Sequence, residues 1–185
     1  MAERVATGTV LLNPFQILKD VGVGFGMMVG DLGCGSGGFF ALQAAKLVGA
    51  RGRVYAVDVV KHVLQSIEAK ASIEGVGNII TVWSNLEVYG GAKTIKDQML
   101  DVAIIVNVLF QSKQKADILR EARRMLKPTG KLVVIDWKTT SSPVGPVIGD
   151  RVTEESLLAA AHEAGLKEVS TFEAGKFHYG FVFAP

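Results

Sequence analysis

The chain has 185 residues, of which 49% are hydrophobic and 21% are charged, a length and composition typical of one globular domain. This apolar content excludes a disordered chain. The net charge of +2 argues against a dedicated nucleic-acid binder, which usually has a strongly basic face. The single cysteine, Cys34, excludes an internal disulfide and fits a reducing compartment. We find no signal peptide and no apolar run long enough to span a membrane, so we expect a cytoplasmic protein.

Short apolar strands alternate with amphipathic helices along most of the chain. Apolar runs predict the strands, and apolar residues at helical spacing predict the helices. The predicted strands are 27–30, 53–58, 79–83, 101–106 and 131–136, and the predicted helices are 14–20, 39–48, 63–71, 112–126 and a segment opened by Thr153 and ended by Gly165. Residues 84–98 and 138–152 are predicted loops.

The C-terminal segment has a different pattern. Residues 169–172 and 177–183 are two strand-like runs joined by 173–176, which is the length of a hairpin connection. Strands that alternate with helices indicate a mostly parallel sheet. We therefore predict an α/β fold: a doubly wound, mostly parallel seven-stranded sheet with a C-terminal antiparallel hairpin and helices on both faces. We expect residues 1–185 to form a single domain, with 1–20 as an N-terminal lid and helix.

A glycine cluster follows the first predicted strand, in the segment Val29–Gly38. Glycines there allow a tight turn and let a ligand approach the backbone. Asp58, at the end of the next strand, is placed to accept both hydroxyls of a ribose. The cluster matches both G-x-G-x-x-G and D-x-G-x-G-x-G. Asp31 favours the second pattern, because an acid before the loop repels a pyrophosphate and attracts a cationic ligand.

From about residue 14 to the C-terminus the sequence resembles class I (Rossmann-like) S-adenosylmethionine-dependent methyltransferases, close to the type 11 ubiquinone/menaquinone-biosynthesis-like group. Residues 31–37 (Asp-Leu-Gly-Cys-Gly-Ser-Gly) are similar to the first motif of that family, and 54–58 to its second-strand motif. Asp101 with 107–110, followed by 121–132, resembles the region of the fourth and fifth strands. These motifs occur in the family's order and at its spacing.

The resemblance implies S-adenosylmethionine as the cofactor and assigns to it a set of residues along the strand ends. The glycine loop and Asp31 would hold the methionine part, Asp58 would bind the ribose, and Val59 would pack on the adenine. Asn85 stands where the family often has an acid that meets the adenine amino group. Asn107 would face the transferred methyl group. The full assigned set is Asp31, Gly33, Cys34, Gly35, Gly37, Asp58, Val59, Asn85, Leu86 and Asn107.

The sequence indicates fewer residues for the methyl acceptor than for the cofactor. Phe110 and Trp137 follow strands whose ends face the crevice, and His178 lies in the last hairpin, so we expect these three to contact substrate. No residue stands out as a general base, and no metal site is predicted. The loop 138–152 and residues 1–20 are candidate lids.

We expect a small-molecule acceptor, and three alternatives stay open. The basic residues between Lys113 and Lys127 could serve an RNA or protein methyltransferase. The G-x-G-x-x-G match is compatible with an NAD(P)-binding oxidoreductase. A non-catalytic relative that binds the cofactor as a partner subunit is the third. The sequence gives no indication of oligomeric state.

Overall fold

The computed structural model describes residues 11–185. In this part of the chain seven strands form a single sheet. They are β1 (Met28–Leu32), β2 (Arg53–Asp58), β3 (Ile79–Trp83), β4 (Leu100–Val106), β5 (Leu126–Trp137), β6 (Lys167–Gly175) and β7 (His178–Ala184). The α-helices are α1 (Pro14–Asp20), α2 (Phe39–Val48), α3 (Lys61–Ile73), α4 (Lys115–Met125) and α5 (Glu154–Glu163), with short 3-10 helices at Leu109–Gln111 and Ile148–Asp150.

The strand order is β3-β2-β1-β4-β5-β7-β6. Strands β1 to β5 are parallel to one another, and β7 runs antiparallel between β5 and β6. The predicted fold class is therefore confirmed. The chain builds outward from β1 to β3 and then returns to place β4 on the other side of β1. In open α/β sheets ligands bind beyond the carboxyl ends of the strands at such a switch point.

Two hydrophobic clusters cover the two faces of the sheet, and alternate residues of each strand belong to opposite clusters. One cluster joins residues such as Ile105 and Val134 to α4 and α5. The other joins residues such as Ile104 and Val133 to α1, α2 and α3. Central parallel strands must be apolar on both sides because helices cover both faces, which explains the continuous apolar runs in the sequence.

Two helices begin at residues whose side chains cap them, and Thr153 is the one that the sequence predicted. The Asn13 side chain accepts a hydrogen bond from the Gln16 amide at 3.1 Å, and Pro14 is the first residue of α1. Thr153 accepts one from the Ser156 amide at 3.1 Å at the start of α5. Such caps satisfy amides that have no partner within the helix.

Four strands, β1, β4, β5 and β6, are longer than the sequence predicted. β1 does not stop before Asp31, because Asp31 and Leu32 continue the pairing with β2. β5 begins at Leu126, which pairs with Leu100, and not at Lys131. The glycine loop consequently starts at Gly33, after Leu32, and Asp31 itself lies inside the sheet.

The predicted terminal hairpin is present, but its connection is shorter than expected, since only Lys176 and Phe177 separate β6 from β7. His178 is the first residue of β7 and pairs with Trp137 at the end of β5. This register brings two residues that were predicted to contact substrate side by side at the carboxyl edge of the sheet.

The loop between β3 and β4 is anchored by a buried ion pair. Glu121 is fully buried, and its carboxylate accepts hydrogen bonds from Arg124 Nε at 2.8 Å and Nη2 at 2.9 Å. The same carboxylate accepts the amides of Gly90 at 2.7 Å and Ala92 at 3.2 Å. Arg124 also donates to the Ile95 carbonyl. These bonds fix a long loop that has no strand or helix of its own.

The loop from Lys138 to Asp150 is organised by one buried arginine. The Arg151 guanidinium donates to the carbonyls of Pro146, Lys138 and Thr140 at 2.7–2.9 Å.

None of the helices in the described part of the chain combines the length and apolar character needed to span a bilayer.

Candidate functional site

A cleft of about 530 Å³ lies at the carboxyl ends of β1, β2 and β4, where the strand order reverses. Gly33, Gly35 and Asp58 form one wall, and Val108 and Ser112, which follow β4, form the opposite side. The parallel register places the ends of β1 and β2 next to each other, so a loop and an acid far apart in sequence meet here.

Asp58 is tied to the glycine loop. Its Oδ2 accepts the Gly35 amide at 3.1 Å and its Oδ1 accepts the Val60 amide at 2.9 Å. An ionised carboxylate has about four acceptor positions, so each oxygen keeps a free lone pair. The amides of Gly33 and Cys34 both donate to the Val57 carbonyl, which holds the loop against β2.

The loop requires glycine at Gly33 and at Gly35 for different structural reasons. Gly33 has φ +84°, and a Cβ there would stand 2.4 Å from a Val108 methyl group, so the loop lies directly against the segment that follows β4. Gly35 has φ +60°, and a Cβ there would meet nothing within 4 Å. Gly35 therefore presents bare backbone to the open cleft, where a ligand can approach closely.

Asp31 lies behind the loop and is 3% exposed. Its Oδ2 accepts the Ala41 amide at 2.9 Å, in the first turn of α2. The pKa of Asp31 is raised to about 7, chiefly by burial, with the Ala41 amide lowering it and the Asp58 charge raising it. Burial likewise raises the pKa of the Cys34 thiol, with Asp31 and Asp58 adding to the effect, so Cys34 is no nucleophile at neutral pH.

The outer wall of the cleft is apolar and exposed. Val59 is 58% exposed, and its carbonyl accepts a hydrogen bond from the Trp83 indole at 2.8 Å. Leu86 is buried beneath the cleft. The Asn85 side chain forms a local turn, in which its Oδ1 accepts the Glu87 amide at 2.9 Å. Val59 and Leu86 therefore offer two apolar surfaces on which a flat heterocycle can pack.

A second, smaller cavity of about 190 Å³ lies beside the cleft. Asn107, which precedes Val108 of the cleft wall, lines it together with Trp137 and His178. Leu11, Leu12, Val144 and Gly145 complete the lining. The segment after β4 thus contributes to both cavities, with Val108 lining the cleft and Asn107 lining the second cavity.

This second cavity holds buried polar atoms without partners. Within residues 11–185, Asn107 Oδ1 and both ring nitrogens of His178 have no hydrogen-bond partner. His178 is fully buried, and its ring centroid lies 4.1 Å from that of Trp137. Burial and, to a smaller extent, the charges of Arg151 and Lys138 together lower the pKa of His178 to about 4. The imidazole is therefore neutral at physiological pH.

The chain matches the family model described as a methyltransferase domain over residues 25–179. The chain belongs to this methyltransferase family. That span contains every residue that lines the cleft, and every residue that lines the second cavity except Leu11 and Leu12.

Known proteins that are similar to this chain support its membership of the family. It is 30% identical over 138 residues to a 2-phytyl-1,4-naphtoquinone methyltransferase from Nostoc punctiforme, covering 75% of this chain and 58% of that protein. It is 30% identical over 165 residues to the ubiquinone/menaquinone biosynthesis C-methyltransferase UbiE of Francisella philomiragia, covering 89% of this chain and 62% of that one. The chain therefore spans about three-fifths of these relatives.

Among solved structures, the fold is similar to a SAM dependent methyltransferase from Aquifex aeolicus, with a TM-score of 0.85 and 27% identity over 94% of this chain and 89% of that one. The resemblance that the sequence indicated, to class I methyltransferases of the UbiE-like group, is thereby confirmed.

Only some of the predicted cofactor residues line the cleft. Those that line the cleft are Gly33, Gly35, Asp58, Val59, Asn85 and Leu86. Asp31 is one layer behind them, and Gly37 packs against the Phe39 ring, with a Cβ there only 2.2 Å from it. Asn107 lines the second cavity. Phe110 packs against the core near α4 and is not among the residues that line either cavity.

Sequence reasoning missed several residues of the cleft. They are Val60, Val63, Ser84, Glu87, Val108, Gln111, Ser112 and Ile118. Val60, Ser84 and Val108 lie within two residues of the ends of β2, β3 and β4, and the rule that residues beyond parallel strand ends face the crevice could have identified these three.

Proposed function

We propose that this chain transfers the methyl group of S-adenosylmethionine to a small-molecule acceptor. The observation that carries the proposal is the cleft at the switch point, where the Asp58 carboxylate and the bare backbone of Gly35 face one space in a member of the methyltransferase family.

The residues of the cleft fit the cofactor. The free lone pairs of Asp58 suit the two hydroxyls of a ribose, because paired acceptors on one carboxylate match a vicinal diol. Val59 and Leu86 suit the adenine ring. The open space at Gly35 and the nearby Asp31 suit the methionine part, whose sulfonium and ammonium charges are stabilised by carboxylates.

When bound, S-adenosylmethionine supplies a methyl group on a sulfonium, which is already activated for displacement. The task left to this chain is to hold the acceptor in line with that group and to exclude water. Positioning of this kind can contribute roughly 7–11 kcal/mol to lowering a barrier. The segment after β4, with Val108 in one cavity and Asn107 in the other, is where cofactor and acceptor would meet.

A dinucleotide cofactor is disfavoured by Asp31. A pyrophosphate in this fold binds the free amides at the start of the helix after β1. Here the Asp31 carboxyl group already accepts the Ala41 amide in that first turn, so this amide is not free to bind a phosphate. The Asp58 carboxylate beside the loop repels a phosphate.

An RNA acceptor is disfavoured because three of the six basic residues between Lys113 and Lys127 are neutralised by acidic partners. Arg120 pairs with Asp117, Arg124 with Glu121, and Lys127 with Asp101 at 2.7 Å. Phosphate-contacting surfaces depend on unneutralised cations. This face therefore supports a small-molecule acceptor, as do the quinone methyltransferase names of the relatives.

The test is methyl transfer from labelled S-adenosylmethionine to a panel of quinol, phenol, thiol and arsenite acceptors, with RNA and protein substrates in parallel. Labelled product from a small molecule, and none from RNA or protein, is the expected result. Labelled RNA or protein with an unlabelled panel would contradict the proposal.

A further inference from the structure

We propose that His178 and Asn107 form the binding site for the acceptor, and that the group they recognise is a neutral hydroxyl on a flat ring. This inference rests on the proposed function and adds to it the residues and the chemical class of the ligand.

The first argument is the set of unpaired atoms in one small cavity. Buried polar atoms in folded proteins are almost always hydrogen-bonded. Yet in the described residues Asn107 Oδ1, His178 Nδ1 and His178 Nε2 all lack a partner, and both residues line the same cavity of about 190 Å³. Unpaired groups that converge on a space are complementary to a ligand which supplies the missing bonds.

The second argument is the chemistry of those atoms. A neutral imidazole presents one N–H donor and one acceptor nitrogen, and the Asn107 oxygen is an acceptor. A hydroxyl group both donates and accepts, so it can pair with the two residues together. A methyl-bearing ring without a hydroxyl would leave all three atoms unpaired, and a group that only accepts would leave both acceptors unpaired.

The third argument is the shape of the cavity. The Trp137 ring forms one wall, and Gly145 lies so close to it that a Cβ would stand 2.7 Å from the indole carbons. An apolar cavity of about 150 Å³ is enough to hold benzene. The space beside Trp137 therefore accommodates one aromatic ring with small substituents.

The fourth argument favours a neutral ligand over an anion. The cations facing His178 are Arg151 and Lys138, and both are already engaged. Arg151 donates to the backbone carbonyls of the loop above it, and Lys138 pairs with Glu173. A carboxylate in the cavity would find no free cation among these residues.

Binding of matched one-ring probes tests the proposal directly. The chain has two tryptophans, so in a Trp83→Phe background the single indole N–H resonance in an NMR spectrum reports on Trp137. We would titrate this protein with 4-methylphenol, toluene and benzoate, which differ in carrying a neutral hydroxyl, no polar group or a carboxylate. We expect 4-methylphenol to bind about tenfold more tightly than either, the effect of one or two neutral hydrogen bonds.

Variants then assign the preference to its residues. His178→Phe keeps a ring against Trp137 but removes both nitrogens, and we expect it to bind 4-methylphenol no better than toluene. His178→Asn, which retains a donor and an acceptor, should recover part of the preference. Asn107→Gly keeps the φ of +56° accessible and should weaken 4-methylphenol binding severalfold.

Thermal unfolding separates this role from a structural one. Since His178→Phe removes two unpaired buried polar atoms, its melting temperature should rise while hydroxyl recognition is lost. Equal binding of 4-methylphenol and toluene to the parent protein, tighter binding of benzoate, or an unchanged preference in His178→Phe would overturn the inference. Calorimetry with S-adenosylmethionine on the same samples tests the proposed function separately from the acceptor site. The proposed function fails only if the parent protein binds no cofactor or transfers no methyl group.

Discussion

Replacing Glu121 by Gln should be among the most destabilising single changes in this chain. Glu121 is fully buried, Arg124 is 7% exposed at its side chain, and the carboxylate accepts four hydrogen bonds. A Gln side chain has one oxygen and an NH₂ group, so at least one existing donor would face another donor, and the Arg124 charge would lose its buried partner. Removing one member of a buried pair costs about 3–5 kcal/mol.

Urea unfolding measures this effect. In proteins of modest size the free energy of unfolding falls by about 1–3 kcal/mol per M of urea. A loss of about 3 kcal/mol in that free energy therefore lowers the urea midpoint of unfolding by about 1–3 M. Asp117→Asn is the matched control, because Asp117 pairs with Arg120 on the same helix at the same spacing but in solvent. Exposed pairs contribute about 0–1 kcal/mol. If Glu121→Gln lowered the midpoint no more than Asp117→Asn, the argument from the buried network would be refuted.

Three further predictions concern the loops and the buried acid. Because the folded pKa of Asp31 is about 7, above its ordinary value, the folded state holds a proton that the unfolded state releases. Stability should therefore fall as pH rises from about 4 to 7, and Asp31→Asn should flatten that fall in urea titrations at several pH values. Gly33→Ala, with φ +84° and a 2.4 Å clash with Val108, should cost about 2 kcal/mol or more, whereas Gly77→Ala, with open space around it, should be nearly neutral. Arg151→Gln should accelerate amide hydrogen exchange in residues 138–150 and leave the core of β5 protected, since three carbonyls lose their donor.

Local pattern was sufficient to predict the layout of the sheet. Residues 53–58 and 79–83 are strands with the predicted bounds, since uninterrupted apolar runs with clear turns on both sides leave few alternatives. Asp31 was misplaced because an acid usually ends a strand. Its continued pairing with β2 depends on a neighbour that is distant in sequence.

The two cavities were predictable to different degrees. The wall formed by the glycine loop and Asp58 follows from spacing, because the ends of adjacent parallel strands meet at one edge. The burial of His178 depends on how Leu11, Leu12 and the loop 138–150 close over the hairpin. No local pattern encodes such a closure, nor the left-handed backbone of Asn107 that starts the segment between the cavities.

Cofactor binding by the intact chain tests the central claim most directly. Calorimetric titration with S-adenosylmethionine, S-adenosylhomocysteine and NADH would compare the wild type with Asp58→Ala, and with Asp117→Asn as a control outside the cleft. We predict that both adenosyl ligands bind, that NADH does not, and that Asp58→Ala alone weakens binding about 100-fold, the effect of losing two hydrogen bonds to a charged group. Binding of NADH alone, or adenosyl binding that is unchanged in Asp58→Ala, would contradict the account.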